Sequence, residues 1–536
     1  MYRRLSFLLL VIFGVFAGCG KAPETPKTIE PIIHTTQLPA GWYVQEAAQL
    51  HKEIDTYLAQ AQRYFPHTLN ATPVALVVPH AGHAYSGLCA ASAYQTLLEA
   101  NGKPNTTIKR VIILAPTHTT FYNGIALPDY TVYRMPFGDI QIDSQALKRL
   151  SKKDAVFNTF ERAHATEHAI EVQLPFLQRT IASFKLVPLI VGHITDEQTF
   201  QAAEALKKIL SPDTLLVIST DFTHHGASYD YTVFDSNISA NIRFLDATAI
   251  RALAEPSFET FETFLHQTSA TICGRDPLRI LLTLLETGTL GKPKAHLTCY
   301  YTSAQLQYAQ KNGFDANKLF QNPPDTEAST SVSYVGLVYA PEQAHFLTGY
   351  EQQSLLTLAR NTIANAFEHD ADKREKIALP LISPGLLTTT GAFVTLTTKN
   401  GDLRGCIGNI TTDKPLYSTI VAMAQAAAFN DTRFTPLRKD ELDTIVIDIT
   451  ILTQPVKVAH ADDIVIGKHG IILNKKGESG TTIASAVFLP QVAREQGWNL
   501  ATTLEHLSQK AGLNRNAWKT DCDFEVFEGF EIKEQQ

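Results

Sequence analysis

An α/β domain built on a parallel sheet, followed by a smaller α+β domain, is the fold the sequence predicts. Three observations carry the prediction. At 536 residues the chain is too long for one ordinary core. Its first half holds four apolar, β-branched runs separated by helical stretches, the pattern of βαβ units. Its second half mixes hairpin and helix signals without that order. The composition is that of a globular protein, with 18% charged residues and a net charge of −7. There is no basic excess of the kind a nucleic-acid partner would require, so nucleic acid is not expected.

The N-terminus stands apart. Tyr2-Arg3-Arg4 precedes an apolar run from Leu5 to Phe16, too short for a stable membrane span, and Phe16-Ala17-Gly18-Cys19 follows. This reads as a signal peptide over residues 1–18, and its end resembles a bacterial lipobox with Phe16 where leucine is more usual. The expectation is an exported chain, lipidated on Cys19, tethered through residues 19–39 and held on the periplasmic face of an envelope membrane. The alternative is a simple signal peptide with an incidental cysteine. Six cysteines at 19, 89, 273, 299, 406 and 522 show no CxxC pair, which excludes a zinc ribbon and a dense disulfide scaffold. Five would remain after the anchor, so at least one would be unpaired or bound to something.

Along the first half, Ala47, Leu50, Ile54, Leu58 and Ala61 recur at helical intervals and predict a helix over 46–64. Val74 to Val78 is the first strand, stopped by Pro79 with His80 just beyond. An alanine-rich helix is expected from Leu88 to Glu99, ended by Asn101-Gly102. Arg110 to Ala115 is the second strand, ending at Pro116-Thr117-His118. Leu186 to Val191 is the third, ending at Gly192-His193, and Leu215 to Ile218 the fourth, ending at Ser219 through His225. Ligands of parallel sheets bind beyond the carboxyl ends of the strands. Four strands that each end at a histidine therefore predict a polar cluster along one sheet edge. Cys273 lies just before a helix in which Asp276 is expected to cap and Pro277 to take the first position. A helix N-terminus favours a thiolate, and thiolate with imidazole suits iron, copper or zinc. Residues 313–330 read as a long loop, and 332–339 as a late strand.

A boundary is expected near 340, giving a first domain over 40–340, a linker over 341–349 and a second domain over 350–533. Leu355, Leu358, Ala359, Ile363 and Ala366 mark an amphipathic helix. Gly391 to Leu396 and Leu403 to Gly408 form a hairpin about Asn400-Gly401, and Ile445, Ile447, Ile449 and Ile451 alternate.

These residues also carry family resemblances. Pro79-His80-Ala81-Gly82, Pro116-Thr117-His118, Glu167-His168-Ala169-Ile170-Glu171 with Leu174-Pro175, Asp221-Phe222-Thr223-His224 and Ile272-Cys273-Gly274-Arg275 resemble, in order, the signature segments of the Memo family, AmmeMemoRadiSam system protein B. The resemblance implies a fold like the class III extradiol dioxygenases, which use non-haem iron. It implies a metal held by His80, His118 and Cys273, iron or copper with zinc also open, and His224 close by. A cysteine stands where those enzymes complete their triad with a carboxylate, so ring cleavage does not follow and a redox-active metal is the broader expectation. His224 is expected to act as acid or base with Asp221 orienting it, and His168 to line the pocket as an acid, base or hydrogen-bonding partner. His83 and His225 are expected to fill space.

Leu403 to Gly408, Asn430-Asp431-Thr432-Arg433-Phe434, His469-Gly470-Ile471 and Leu489-Pro490-Gln491 resemble an AMMECR-type domain, protein A of the same system. That implies a radical S-adenosylmethionine protein as a partner. Cys406 is a candidate thiol site there, or a small residue between two glycines of a tight backbone. Three functions stay open: a redox metalloprotein acting on an unknown small-molecule or peptide substrate; a non-catalytic metal- or peptide-binding module; and a zinc peptidase using His164-Ala165-Thr166-Glu167-His168, which fits H-x-x-E-H.

Overall fold

The computed structural model describes residues 30–66, 71–151, 156–341, 347–368, 383–477, 480–520 and 522–534. Cys19, the signal segment and most of the tether lie outside them. Among the described residues no helix is long and apolar enough to cross a membrane.

In the first domain, helix α1 (Ala47–Tyr64) is capped by Glu46, whose carboxylate accepts from Ala48 N–H and Gln49 N–H. Strand β1 (Ala75–Val78) leads to helix α2 (His83–Tyr94). This helix starts five residues before the expected position. Gly87, which reads as loop, sits inside it because a side chain there would meet the Tyr57 ring of α1 at 2.8 Å. Strands β2 (Arg110–Pro116), β3 (Ile125–Leu127) and β4 (Phe157–Thr159) follow. Then come two one-turn helices, α3 (Glu161–His164) and α4 (His168–Glu171), strand β5 (Lys185–Val191), strand β6 (Thr214–Ser219) and the two-residue strand β7 (His224–His225). Helix α5 (Arg275–Glu286) and strands β8 (Lys294–Thr302) and β9 (Ser331–Ala340) complete the domain.

One nine-stranded sheet organises these elements, in the order β7-β9-β1-β6-β2-β5-β3-β4, with β8 paired to β9. The four expected strands are the parallel block β1-β6-β2-β5. Every residue of β1 and β6 is buried, as strands covered on both faces must be. The late strand β9 is no edge: it pairs antiparallel with both β8 and β1. Residues 313–330 contain a short turn of helix at Asp325–Ala328, and the Asp325 carboxylate accepts from the Asn237 and Ile238 N–H groups that open the helix Ile238–Ala254.

The second domain opens on helix α6 (Gly349–Ala366). Strands β10 (Ala392–Thr398) and β11 (Leu403–Asn409) form the expected hairpin, helix α7 (Leu416–Phe429) packs over it, and β12 (Ile445–Leu452) pairs with β10. Ile447, Ile449 and Ile451 meet Val394, Leu396 and Ile420 in one core, so the alternation marks a buried face. A second antiparallel sheet of four strands packs on helix Leu500–Lys510 around its own core. Mixed sheet and helix without βαβ units is α+β.

The two domains are joined by packing. Thr348 donates to the Leu297 carbonyl, and a Cβ on Gly349 would lie 2.4 Å from the Pro66 carbonyl. Tyr350, on α6, is buried in the core of the first domain. The end of the expected linker is therefore docked chain.

Candidate metal centre

Three neighbouring strands deliver the site. β1 ends before His80, β2 before His118 and β6 before Asp221. His193, beyond β5, is exposed and lies outside the cluster; its place is taken by His168, which no strand end announces.

His80 is buried, and its ring is fixed at both ends. Ser219 is the register partner of Val78, which brings its Oγ to 3.0 Å from His80 Nδ1. That hydroxyl donates its proton to the Ala169 carbonyl at 2.6 Å and accepts from Gln173 Nε2 at 2.9 Å. Having one proton, it can only accept from His80, so Nδ1 carries the hydrogen and Nε2 the lone pair. His80 Nε2 lies 3.2 Å from Cys273 Sγ. Burial, followed by the neighbouring His118, His168 and His224, holds His80 well below the usual imidazole range, so it is neutral.

Glu167 fixes His118. Its two carboxylate oxygens accept from the His118 N–H at 2.6 Å and from Nδ1 at 2.9 Å, again turning Nε2 toward the site. Burial opposes protonation of His118, but hydrogen bonds to Cys273 and Glu167 outweigh it and push the group up to about 10. The spot therefore favours a positive charge; a metal cation is one, and its binding would displace the proton. His168 stacks on Trp42 at 3.9 Å and is brought down to about 4, chiefly by burial.

Cys273 precedes α5 by two residues. Its Sγ accepts from Asp221 N–H at 3.2 Å, and Gly274 N–H donates to Thr220 Oγ1. A Cβ at Gly274 would sit 2.4 Å from the Thr220 Cβ, so only glycine lets this loop close on the end of β6. His80, His118 and Cys273 each offer one ligand atom, all within 4.8 Å of one another. Two neutral-capable imidazoles with fixed tautomers and a thiol backed by an N–H donor fit a metal ion. Ligand atoms of His118, Glu167 and His168 also lie within 4.8 Å of one another, but Glu167 is there hydrogen-bonded to His118.

Several sequence expectations change. Asp221 does not orient His224: its Oδ1 accepts from His80 N–H at 2.8 Å, and His224 Nδ1 is 2.9 Å from the Thr271 carbonyl instead. Burial raises the Asp221 carboxyl above its usual range. Asp276 is not the cap of α5; Gly274 holds that position, Pro277 is third in the helix, and Asp276 pairs with buried Arg279 at 2.8 Å. The H-x-x-E-H motif does not form one helical face. Glu167 breaks it as the cap of α4, and His164 is turned to the Ala126 carbonyl at 3.0 Å and the Tyr130 hydroxyl at 3.3 Å. That geometry removes the peptidase reading. His83 bonds the Val172 carbonyl and packs on Phe176, and His225 stacks on Phe234. In the second domain Cys406 accepts from Thr395 Oγ1 at 3.2 Å, while its N–H donates to Asp431 and its carbonyl accepts from Arg433. Ser219, Gln173 and Thr271 were not legible as site residues, since hydroxyl and amide side chains in strands and turns carry no spacing signal.

A family model described as Memo-like protein matches residues 37–314. The chain belongs to the Memo family. An AMMECR1 model matches residues 356–532, so a Memo-like domain is followed by an AMMECR1 domain. Protein MEMO1 of Danio rerio is 30% identical over 307 residues, covering 55% of this chain and 93% of the relative. Protein MEMO1 of Xenopus tropicalis is 32% identical over 250 residues, covering 45% and 80%. Among solved structures, an uncharacterized protein from Pyrococcus horikoshii matches at 31% identity and a TM-score of 0.28, covering 34% of this chain and 90% of that one.

Proposed function

We propose that the Memo domain is a metal-dependent redox site of the kind found in extradiol dioxygenases, loaded with iron or copper. The observation that carries this reading is the convergence of His80 Nε2, His118 Nε2 and Cys273 Sγ from three separate segments. A bound ion of either metal would supply electron transfer and polarise a coordinated oxygen. The chain's own residues do the rest. Ser219 and Glu167 hold the two imidazoles in the ligating tautomer. His224, half-buried with Nδ1 committed to Thr271, offers Nε2 to take or return a substrate proton. His168, neutral above about pH 4, offers a second proton acceptor against the Trp42 ring. Asp221 is a positioning residue, fixing the backbone of His80.

In the same reading Cys19 anchors the exported chain at the envelope membrane, and the paired domains work with a radical S-adenosylmethionine protein. The N-terminal sequence supports the first and the domain pair the second. Metal content of the purified chain, compared with His80→Ala and Cys273→Ser, tests the core of the proposal; both variants should lose the metal. Oxygen uptake with catechols then separates catalysis from binding: metal lost on mutation, with no turnover, favours the binding module. Equal metal in wild type and both variants would sink the metal site itself.

A further inference from the structure

Outside the metal centre, the Cys89 thiol lies against Cys299. Cys89 is in the middle of α2 and Cys299 is in β8, 210 positions later, and neither has any exposed surface. Cys89 Sγ is 3.8 Å from the Cys299 carbonyl. Burial raises the Cys89 thiol well above its usual range, and a hydrogen bond with the Cys299 thiol adds to the rise. The other described cysteines point elsewhere: Cys273 into the metal centre, Cys406 to Thr395 and Cys522 to the Ala517 carbonyl.

The backbone around the pair is held close. β8 bulges between Leu297 and Cys299, and Gly336, the partner of Cys299, lacks the side chain that would strike Thr298 Oγ1 at 2.6 Å. Ser92 bonds both the Cys89 carbonyl and Thr298, clamping α2 to β8 one turn further on. Cys89 N–H donates to the Tyr301 hydroxyl, which donates to the Tyr85 carbonyl. The Cys89 thiol thus touches Cys299 across two elements held close together.

We propose that Cys89 and Cys299 are a redox pair that closes to a disulfide, fastening the helix that follows His80 to strand β8. The donor is a low-molecular-weight or protein disulfide. One cysteine thiolate attacks it, forming a mixed disulfide and releasing one donor thiolate. The second cysteine thiolate displaces the other donor thiolate. Two protons leave the cysteines, and the donor gains two electrons. Because both sulfurs are shielded, closure takes place as the chain folds or opens, and the closed bond resists reduction in the native state.

The test is the full chain refolded, and in parallel incubated natively, across ratios of oxidised to reduced glutathione. Acid quenching, alkylation in denaturant and peptide mass mapping follow. The expected result is a linked peptide pair containing Cys89 and Cys299, with Cys273, Cys406 and Cys522 alkylated, and a higher melting temperature than the reduced chain. Cys89→Ala and Cys299→Ala should each abolish the linked pair. Both cysteines alkylated in both arms, even in oxidised glutathione alone, would overturn the proposal. So would either one linked mainly to a third cysteine.

Discussion

Ser219→Ala tests the proposal that the protein prepares His80 for a metal. The hydroxyl accepts from His80 Nδ1 and from Gln173, and donates to the Ala169 carbonyl. Gln173 keeps its second bond, to the Pro79 carbonyl, so its amide stays in place. His80 keeps only its bond to the Ser219 backbone carbonyl. With one acceptor fewer, the Nδ1 proton moves more readily to Nε2, the atom that must be bare to bind metal. Loss of such an outer partner costs about 10- to 100-fold in metal affinity, which is about 1.4–2.7 kcal/mol. The orphaned Ala169 carbonyl adds about 1–3 kcal/mol of lost stability, a separable effect. Competitive titration against a chromophoric chelator reads the affinity, and urea unfolding of the metal-free chain reads the stability. A variant that is destabilised yet binds metal within twofold of the wild type would refute the reasoning, because the tautomer would then not matter.

Three further outcomes follow from the same geometry. His164 is buried and brought down to about 4, mainly by burial, so the unfolded chain binds a proton there that the native chain does not between about pH 4 and 6.5. Stability should therefore be full above pH 6.5 and fall by about 3 kcal/mol as the pH drops to 4. His164→Gln should flatten this part of the urea midpoint against pH, and an unchanged slope would remove the assignment. Gly274→Ala should push the Cys273 loop off β6, costing about 1–3 kcal/mol and most of the metal, read by melting and metal content. Tyr350→Ala removes a buried ring that ties α6 to the first domain and should cost about 3 kcal/mol or more. Calorimetry should then show the two domains melting apart; a single transition at the original temperature would argue against coupling through this residue.

The four parallel strands, the second-domain hairpin and the alternating isoleucines could all be read in the sequence, because burial on one or both faces writes itself into apolar runs of fixed period. Strand ends point to a histidine cluster with Cys273 beside it, and the Memo resemblance narrows the set to His80, His118 and Cys273. Tertiary structure alone decided which histidines meet. His193 follows a strand just as His118 does, yet β5 lies at the end of the parallel block and leaves it in solvent. His168 joins the site and His164 does not, because Glu167 ends one turn of helix and caps the next. Thr271 replaces Asp221 beside His224, and Gly87 lies within a helix, for a related reason. Each outcome depends on a partner tens or hundreds of residues away, and local spacing carries no information about a neighbour that only folding brings near.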